Sequence, residues 1–380
     1  MEKIYWAIQN LDTLGGSEMV SVNLANLLCD KYDITLIVST KETGERLYLV
    51  SDKVKVFNLG INPKVTRLNN YVKKYKEAHR YLSLLFLVIK STVVMFFGRW
   101  HYRKKIASLI NKEPGLLICS SGESYLFAPK KVKKIYHYHF NSRLFFSFGD
   151  RFILAHSHKP NMFVFLSKTT KDIILTKRND LKDKAVFINN PVRFESTLDL
   201  SFHDNTIIVI GRLIKQKNPM LALEVAKELK ERKLDFKMKF IGSGALREMM
   251  DKYINDNDLS SYIEIKNETP KIKEEILSSD ILLITSIYEG YPLCRSEANA
   301  LSRPAISSNW GDTVYEVVND GINGFVIDSF DPKPYADKLE EIIKDKNLLK
   351  ELKKGSYQFS LNSSSDALKK QWCELIESVK

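Results

Sequence analysis

The sequence predicts an α/β protein of two domains, each a parallel sheet with helices on its faces, and three observations lead there. The chain has 380 residues, too many for one ordinary hydrophobic core. At 44% hydrophobic and 27% charged residues, it has the composition of a folded chain, not a disordered one. Short apolar runs alternate with helical stretches in two sets, separated by the polar, irregular segment 193–205. Such alternation with short loops builds a parallel sheet.

In the first set a strand at Lys3–Gln9 leads into a Gly15-Gly16 loop. Ser17 is the expected N-cap, Glu18 lies in the first turn, and Leu24, Leu27 and Leu28 carry helical spacing. Further strands are expected at Asp33–Ser39 and Val54–Leu59, and at Leu116–Ser120, Lys134–Phe140 and Met162–Ser167, short apolar runs with turn signals between them that read as buried parallel strands. The pace changes at Ile188-Asn189-Asn190-Pro191-Val192. In the second set strands are expected at Thr206–Ile210, Phe236–Ile241, Tyr262–Ile265, Ile281–Thr285, Ala305–Ser308 and Phe325–Ile327. A helix at Pro219–Arg232 has proline near its first turn, and Gly242-Ser243-Gly244 opens another. The expected domains are 1–192 and 193–356, Rossmann-like sheets facing a cleft, with a helix over about 357–380 returning to the first.

The net charge of +12 is concentrated. Residues 61–112 hold twelve Lys/Arg against one acidic residue, Glu77, and contain the most apolar run of the chain, Tyr81–Phe97, interrupted by Lys90. The run is short for a span of roughly 20 residues. Basic flanks around it suit a helix lying on an anionic membrane surface; the plainer reading is a buried helix between solvated ends. Nucleic acid is not expected, because the cations are not interleaved with a base-stacking platform. Cys29, Cys119, Cys294 and Cys373 lie far apart, which excludes a disulfide scaffold or a cysteine zinc site and fits a reducing compartment. The opening residues turn polar within ten positions, so no secretory leader is expected. The expected location is cytoplasmic, peripheral on the inner face of the membrane.

Ligands of open α/β sheets bind beyond the carboxyl ends of the strands, so the loops there carry the chemistry. After Thr206–Ile210 come Gly211, Arg212 and Lys217; two cations before a helix N-terminus suit a diphosphate, or form a solvated basic loop. After Phe236–Ile241, Gly242 and Gly244 allow a phosphate or base to approach the backbone, or simply make a tight turn. No third glycine completes a dinucleotide fingerprint. After Ile281–Thr285 the most specific segment runs Glu289-Gly290-Tyr291-Pro292-Leu293-Cys294-Arg295-Ser296-Glu297. Its two carboxylates would be about 12 Å apart if the span were helical, wider than the roughly 5–9.5 Å of a hydrolytic acid/base pair. They read as two acceptors at different depths of one pocket. Asp256-Asn257-Asp258 is formally a D-x-D, but it follows a helix and reads as a helix-end loop. The H-x-H pairs His137/His139 and His156/His158 lack further ligands, so no metal site is expected. No G-x-S-x-G or P-loop pattern is present.

Glu289-x7-Glu297, with Gly290 and Pro292, resembles the E-x7-E motif of retaining GT-B glycosyltransferases of the group-one family (glycosyltransferase family 4). Gly211-Arg212-Leu213 with Lys217, Gly242-Ser243-Gly244, Arg303–Ser308 and Asn319–Phe325 resemble the family's later motifs in order and spacing. Leu14-Gly15-Gly16-Ser17-Glu18 resembles its glycine-rich first loop, and Ile188–Val192 its interdomain segment. The resemblance implies a GT-B fold and a metal-independent enzyme with no cofactor, using a nucleotide-diphosphate sugar, UDP-linked, as donor. Arg212 and Lys217 would hold the diphosphate, Glu289 the sugar hydroxyls and Glu297 the ribose. Gly290, Tyr291, Pro292 and Leu293 would give backbone contacts, and Gly16 would approach from the other domain. Tyr138-His139-Phe140-Asn141 resembles the segment with the active-site histidine. His139 is the candidate, with His137 expected on the other face. Cys294-Arg295-Ser296 and Trp310-Gly311-Asp312 depart from the family pattern and bear on sugar specificity. The implied acceptor is a membrane-linked or cell-surface glycan. A nucleotide-sugar epimerase, a glycan phosphorylase and a non-catalytic glycan-synthesis partner are the alternatives.

Overall fold

A computed structural model describes residues 1–12, 15–40, 48–61, 100–120, 124, 128–129, 131–139, 160–361 and 365–379. The apolar run Tyr81–Phe97 and the pair His156/His158 lie outside the described residues.

Two parallel sheets form the frame. The first comprises β1 (Glu2–Ile8), β2 (Tyr32–Thr40), β3 (Lys55–Ile61), β4 (Leu116–Cys119), β5 (Lys134–Tyr138), β6 (Met162–Phe165) and β7 (Ala185–Phe187), in the order β3-β2-β1-β4-β5-β6-β7. The second comprises β8 (Thr206–Ile210), β9 (Lys237–Ile241), β10 (Ile263–Lys266), β11 (Ile281–Ile284), β12 (Ala305–Ser308) and β13 (Gly324–Ile327), in the order β10-β9-β8-β11-β12-β13. In each sheet the winding reverses after its third strand, and the switch points lie at β1/β4 and at β8/β11. Such a reversal opens a crevice at the carboxyl edge. Residues 188–205, between the sheets, hold neither helix nor strand.

Both faces of β1 are buried, as its apolar run requires. Ile4, Trp6 and Ile8 pack with Val20, Leu24 and Leu28 of α1 (Gly16–Leu28), whereas Tyr5 and Ala7 pack with Leu117, Tyr136 and Ile106. Ile106 belongs to the helical residues 100–112. A further helix among the described residues of the first domain, α2 (Lys168–Lys177), is capped by the Ser167 side chain. In the second domain α3 (Pro219–Glu231), α4 (Arg247–Asp256), α5 (Ile272–Leu277), α6 (Leu293–Ala300), α7 (Pro332–Lys344) and α8 (Lys346–Leu361) surround the sheet.

Some sequence expectations are corrected. The N-cap of α1 is Gly15, in extended conformation, and not Ser17, whose hydroxyl instead donates to Glu18 Oε2 at 2.7 Å. The strand β7 falls within a stretch not read as strand; three half-buried residues are too few to show a period. Gly242-Ser243-Gly244 does not open α4 directly, because a turn through Ala245 and Leu246 intervenes. The expected helix over 357–380 is two: α8 ends at Leu361 and α9 (Ser365–Ser378) follows. Leu349 and Leu352 of α8 belong to the second domain's core, while Leu368, Trp372, Leu375 and Ile376 of α9 join Ile4 and Trp6 in the first.

Candidate active site

The carboxyl ends of β8 and β11 carry the residues of interest. The loop after β8 is stitched to the loop after β11: Gln216 accepts from Ile287 N at 2.8 Å and donates to Tyr288 O at 3.1 Å, and Thr285 Oγ1 donates to Asn218 O at 2.9 Å. This seam places Lys217, two residues before α3, against Glu289. The ammonium meets Glu289 Oε1 at 2.5 Å, and Ser286 Oγ donates to the same oxygen at 2.6 Å. The carboxylate side chain is 8% exposed and the lysine 22%. Burial works against the charge of Lys217, but the carboxylate beside it outweighs burial and its pKa is raised. Gly211 lies over the Lys217 stem, where a Cβ would stand 3.3 Å from Cδ. Arg212 is exposed and has no ion-pair partner among the described residues.

The glycines of the next loop serve the backbone seam. A Cβ on Gly242 would stand 2.1 Å from Gly211 O, and one on Gly244 2.4 Å from Leu213 O. Leu213 N donates to Ser243 O at 2.8 Å. These glycines let two loops lie main chain to main chain and so fix the loop that carries Arg212 and Lys217.

Past Glu289, Gly290 and Tyr291 lead to Pro292, the N-cap of α6, and Leu293 begins that helix. Glu297 on the same helix does not meet Glu289's cation; it accepts from Arg193 Nε at 2.6 Å. Burial pushes its carboxyl pKa up, and Arg193 pulls the other way. Burial pushes the neighbouring Cys294 thiol up to about 11. Arg295 turns into the core, where it donates to the carbonyls of Val317, Arg303 and Asn323. That polar departure in the motif is therefore a structural tie.

Across the cleft, the start of α1 lies against the start of α6: a Cβ on Gly16 would stand 3.9 Å from Leu293 Cδ1. Two helix N-termini, with their unpaired N–H groups, thus approach one another. His139 follows β5 at its carboxyl end, half-buried, and burial pushes its pKa down to about 3. His137 is not on the other face. The rings lie 4.2 Å apart, as the two-residue period of a strand demands. His137 is buried, its ring edge-on to Trp372 of α9 at 5.2 Å. Neither nitrogen of His137, nor His139 Nε2, has a hydrogen-bond partner among the described residues.

The crevice bounded by Gly211, Arg212, Lys217, Thr285, Ser286 and Cys294 has a free volume of ≈ 10 Å³, about room for one water. A larger cavity of ≈ 810 Å³ lies at the amino ends of β1, β4 and β5, where Glu2, Leu116 and Lys133 line it; no candidate site residue does. Asp256 ends α4, and Asp258 points to solvent with its side chain 93% exposed. No cluster of three metal-ligating side chains occurs among the described residues.

Sequence reasoning missed Arg193 and Glu316. Glu316 reaches from the second domain to the N-terminus of α2, accepting from Ser167 Oγ at 2.9 Å, Lys168 N at 3.1 Å and Thr169 N at 2.6 Å. Both pairings cross more than a hundred residues and have no local signature.

Residues 198–359 match the model described as "Glycosyl transferases group 1". The chain is 26% identical to the GalNAc-alpha-(1,4)-GalNAc-alpha-(1,3)-diNAcBac-PP-undecaprenol alpha-1,4-N-acetyl-D-galactosaminyltransferase of Campylobacter jejuni, over 100% of this chain and 99% of that one. It is 24% identical to the amylovoran biosynthesis glycosyltransferase AmsD of Erwinia amylovora, over 99% and 100%. The structure of S. aureus TarM in complex with UDP and alpha-GlcNAc-glycerol superposes with a TM-score of 0.80 at 15% identity, over 99% and 100%. WaaG, a glycosyltransferase involved in lipopolysaccharide biosynthesis, does so at 0.72 and 9%, over 98% and 99%. The chain thus has the GT-B architecture, and residues 198–359 of it are similar to the group 1 glycosyltransferases.

Proposed function

We propose that the protein transfers a sugar from a UDP-sugar to a lipid-linked or cell-surface glycan, with retention of anomeric configuration and without a metal ion. The observation that carries this reading is the Lys217–Glu289 pair at the carboxyl ends of β8 and β11. A cation and a carboxylate held 2.5 Å apart beside the crevice that Lys217 lines match the two ends of the substrate. A diphosphate needs the cation, and sugar hydroxyls need the acceptor. Donor entry separates them and gives each a new partner. Names of relatives support the acceptor class, since the Campylobacter protein acts on an undecaprenol-linked glycan. UDP in the TarM complex supports the donor class.

In the reaction the bond from the anomeric carbon to the β-phosphate oxygen breaks, and its electron pair stays on the phosphate. Lys217, Arg212 and the N–H groups at the start of α6 stabilise that charge as it forms. The acceptor oxygen bonds to the anomeric carbon on the same face, and its proton passes to the departing phosphate. Glu289 holds the sugar hydroxyls and Glu297 the ribose. His139, uncharged at neutral pH with its pKa pushed down to about 3, offers the sugar a neutral imidazole. Gly290, Tyr291, Pro292 and Leu293 present main chain to sugar and phosphate, and Gly16 approaches from the first domain. The basic segment 61–112 seats the first domain on anionic membrane. At its described end Trp100 is 52% exposed with Lys104 Nζ 4.1 Å from its ring. No helix among the described residues is long and apolar enough to cross a membrane.

The test is turnover of an α-linked UDP-sugar with an undecaprenyl-diphosphate-linked acceptor in excess EDTA, with the product's anomeric centre read by NMR. An α-product at an undiminished rate is expected. A β-product contradicts retention, and loss of turnover that Mn²⁺ restores contradicts metal independence.

A further inference from the structure

Of the two buried carboxylates in the E-x7-E segment, Glu289 is paired with a lysine from its own domain, whereas Glu297 is paired with a residue of the chain that joins the domains. Arg193 follows Asn190-Pro191-Val192 directly, in the stretch without regular structure. Its Nε donates to Glu297 Oε1 at 2.6 Å. Its guanidinium carbon stands 5.3 Å from the Phe194 ring centre, a cation over an aromatic face. The arginine side chain is 28% exposed and the glutamate 6%. No hydrogen bond to Glu297 Oε2 is formed among the described residues.

A carboxylate this deep in protein faces a choice. Without a cation, burial favours its protonated form, which donates a hydrogen bond. A ribose diol offers two O–H donors and needs an ionised acceptor. One arginine bond supplies the charge, fixes the plane of the carboxylate and leaves the second oxygen open. Arginine suits the task because its charge is permanent and its donors are rigidly oriented.

Resting on the donor-site reading above, we propose that Arg193 is a positioning residue of that site: it holds the Glu297 carboxylate so that its open oxygen receives the ribose hydroxyls. Nucleotide affinity is thereby tied to the geometry of the interdomain connection. The groups that face this pair are few. Cys294 lies on the same helix and is pushed up to about 11 by burial. On the first-domain side Tyr48 lies near Arg193 and is pushed up to about 12, again by burial. Glu18 lies beyond Tyr48, which feels its charge. Lys217 and Glu289 act on the far side of Cys294. The thiol and the phenol therefore stay neutral from pH 5 to 8.

The experiment is calorimetric titration of the full chain with UDP from pH 5 to 8, for wild type, Arg193→Ala, Arg193→Lys and Glu297→Gln. Glu297 in the wild type titrates above the ordinary glutamate value, so affinity falls toward the acid end. Removing the Arg193 cation raises that carboxyl further. Arg193→Ala should lose at least tenfold in UDP affinity at pH 7, and its acid fall-off should begin at higher pH. Arg193→Lys should keep the fall-off near its wild-type position while losing part of the affinity. Glu297→Gln should abolish the fall-off. In turnover, KM for the donor should rise more in Arg193→Ala than kcat falls. If Arg193→Ala loses affinity equally at every pH, or loses none, Arg193 only ties the linker and the proposal is overturned. If wild-type protein binds neither UDP nor any other nucleoside diphosphate in this titration, the donor-site reading itself has failed. Thermal denaturation of each variant identifies any that do not fold, and the Lys and Gln variants then decide.

Discussion

Lys217 and Glu289 satisfy each other inside protein, so removing either leaves a buried charge behind. Lys217→Ala takes the cation from Glu289 and, on the proposed function, from the donor diphosphate as well. A lost charge-assisted hydrogen bond is worth about 1.5–3 kcal/mol, which is roughly ten- to a hundredfold in rate. We expect kcat/KM for the donor to fall by at least about tenfold, measured by nucleotide release, with the circular dichroism spectrum unchanged; unaltered kcat/KM would remove Lys217 from the diphosphate site. His137 makes a second residue-scale prediction, concerning stability. Burial and the neighbouring His139 hold its folded pKa well below 6.5. At pH values between the folded value and the unfolded one near 6.5, the unfolded chain binds a proton that the native protein does not. Stability should therefore fall as the pH drops below about 6.5, by up to about 1.4 kcal/mol per pH unit for this one group. In urea unfolding at pH 5.5 and 7, His137→Phe should show a smaller difference than wild type. An equal difference would mean that His137 is solvated. At this scale the sequence displayed the residues of the motif but not their partners. Glu289 and Glu297 stand out by spacing. Nothing local announces that Lys217, 72 positions earlier, and Arg193, 104 positions earlier, close on them. The placing of His137 apart from His139 failed on elementary strand geometry, since neighbours two apart share a face.

Elements were legible where apolar runs were long and bounded by turn signals. All six strands of the second sheet were expected within a residue or two of their observed ends; in β11 and β12 burial on both faces leaves a continuous run without charged residues. The three residues of β7 are half-buried and too few to show a period. The loop glycines had two readings, ligand approach or tight turn. Their crowding against Gly211 and Leu213 carbonyls shows a backbone seam that no single loop discloses. The C-terminal elements are fixed by polar groups deep in protein. Lys353 of α8 is fully buried and donates to Asp280 Oδ1 at 2.8 Å, at the entry to β11, and to the Ser201 carbonyl. Breaking such a pair leaves one charge uncompensated, at a cost of about 3–5 kcal/mol. Lys353→Met should lower unfolding free energy by that order in urea titration. A loss under about 1 kcal/mol would show that water reaches Asp280.

The whole molecule brings the carboxyl ends of two sheets together, and its interdomain contacts are both polar and apolar. Glu316 caps α2 across the cleft, Arg193 ties the connection to α6, and α9 returns the chain's end to the first domain. The charge of the segment 61–112, +11 by count, acts at this scale too. Each Lys or Arg near an anionic surface contributes about 1 kcal/mol, screened by salt. Co-sedimentation with phosphatidylglycerol vesicles at low salt should retain the protein. Changing Lys73, Lys74, Arg103, Lys104 and Lys105 to Glu should release it. Indifference of the wild type to these vesicles would point to a core role for the apolar run and to a soluble acceptor. The two-domain plan was legible because each half repeats the strand–helix alternation. The closeness of the halves was not, because it depends on pairings that cross the whole chain. The central claim is that this cleft activates a nucleoside diphosphate sugar. Its most direct test is release of free nucleotide from a panel of UDP-, GDP- and ADP-sugars by wild type and by Glu289→Gln. The account predicts turnover of a UDP-sugar by the wild type, strongly reduced by the substitution, and failure of the wild type to release nucleotide from any sugar in the panel, with or without glycan acceptor, would contradict it.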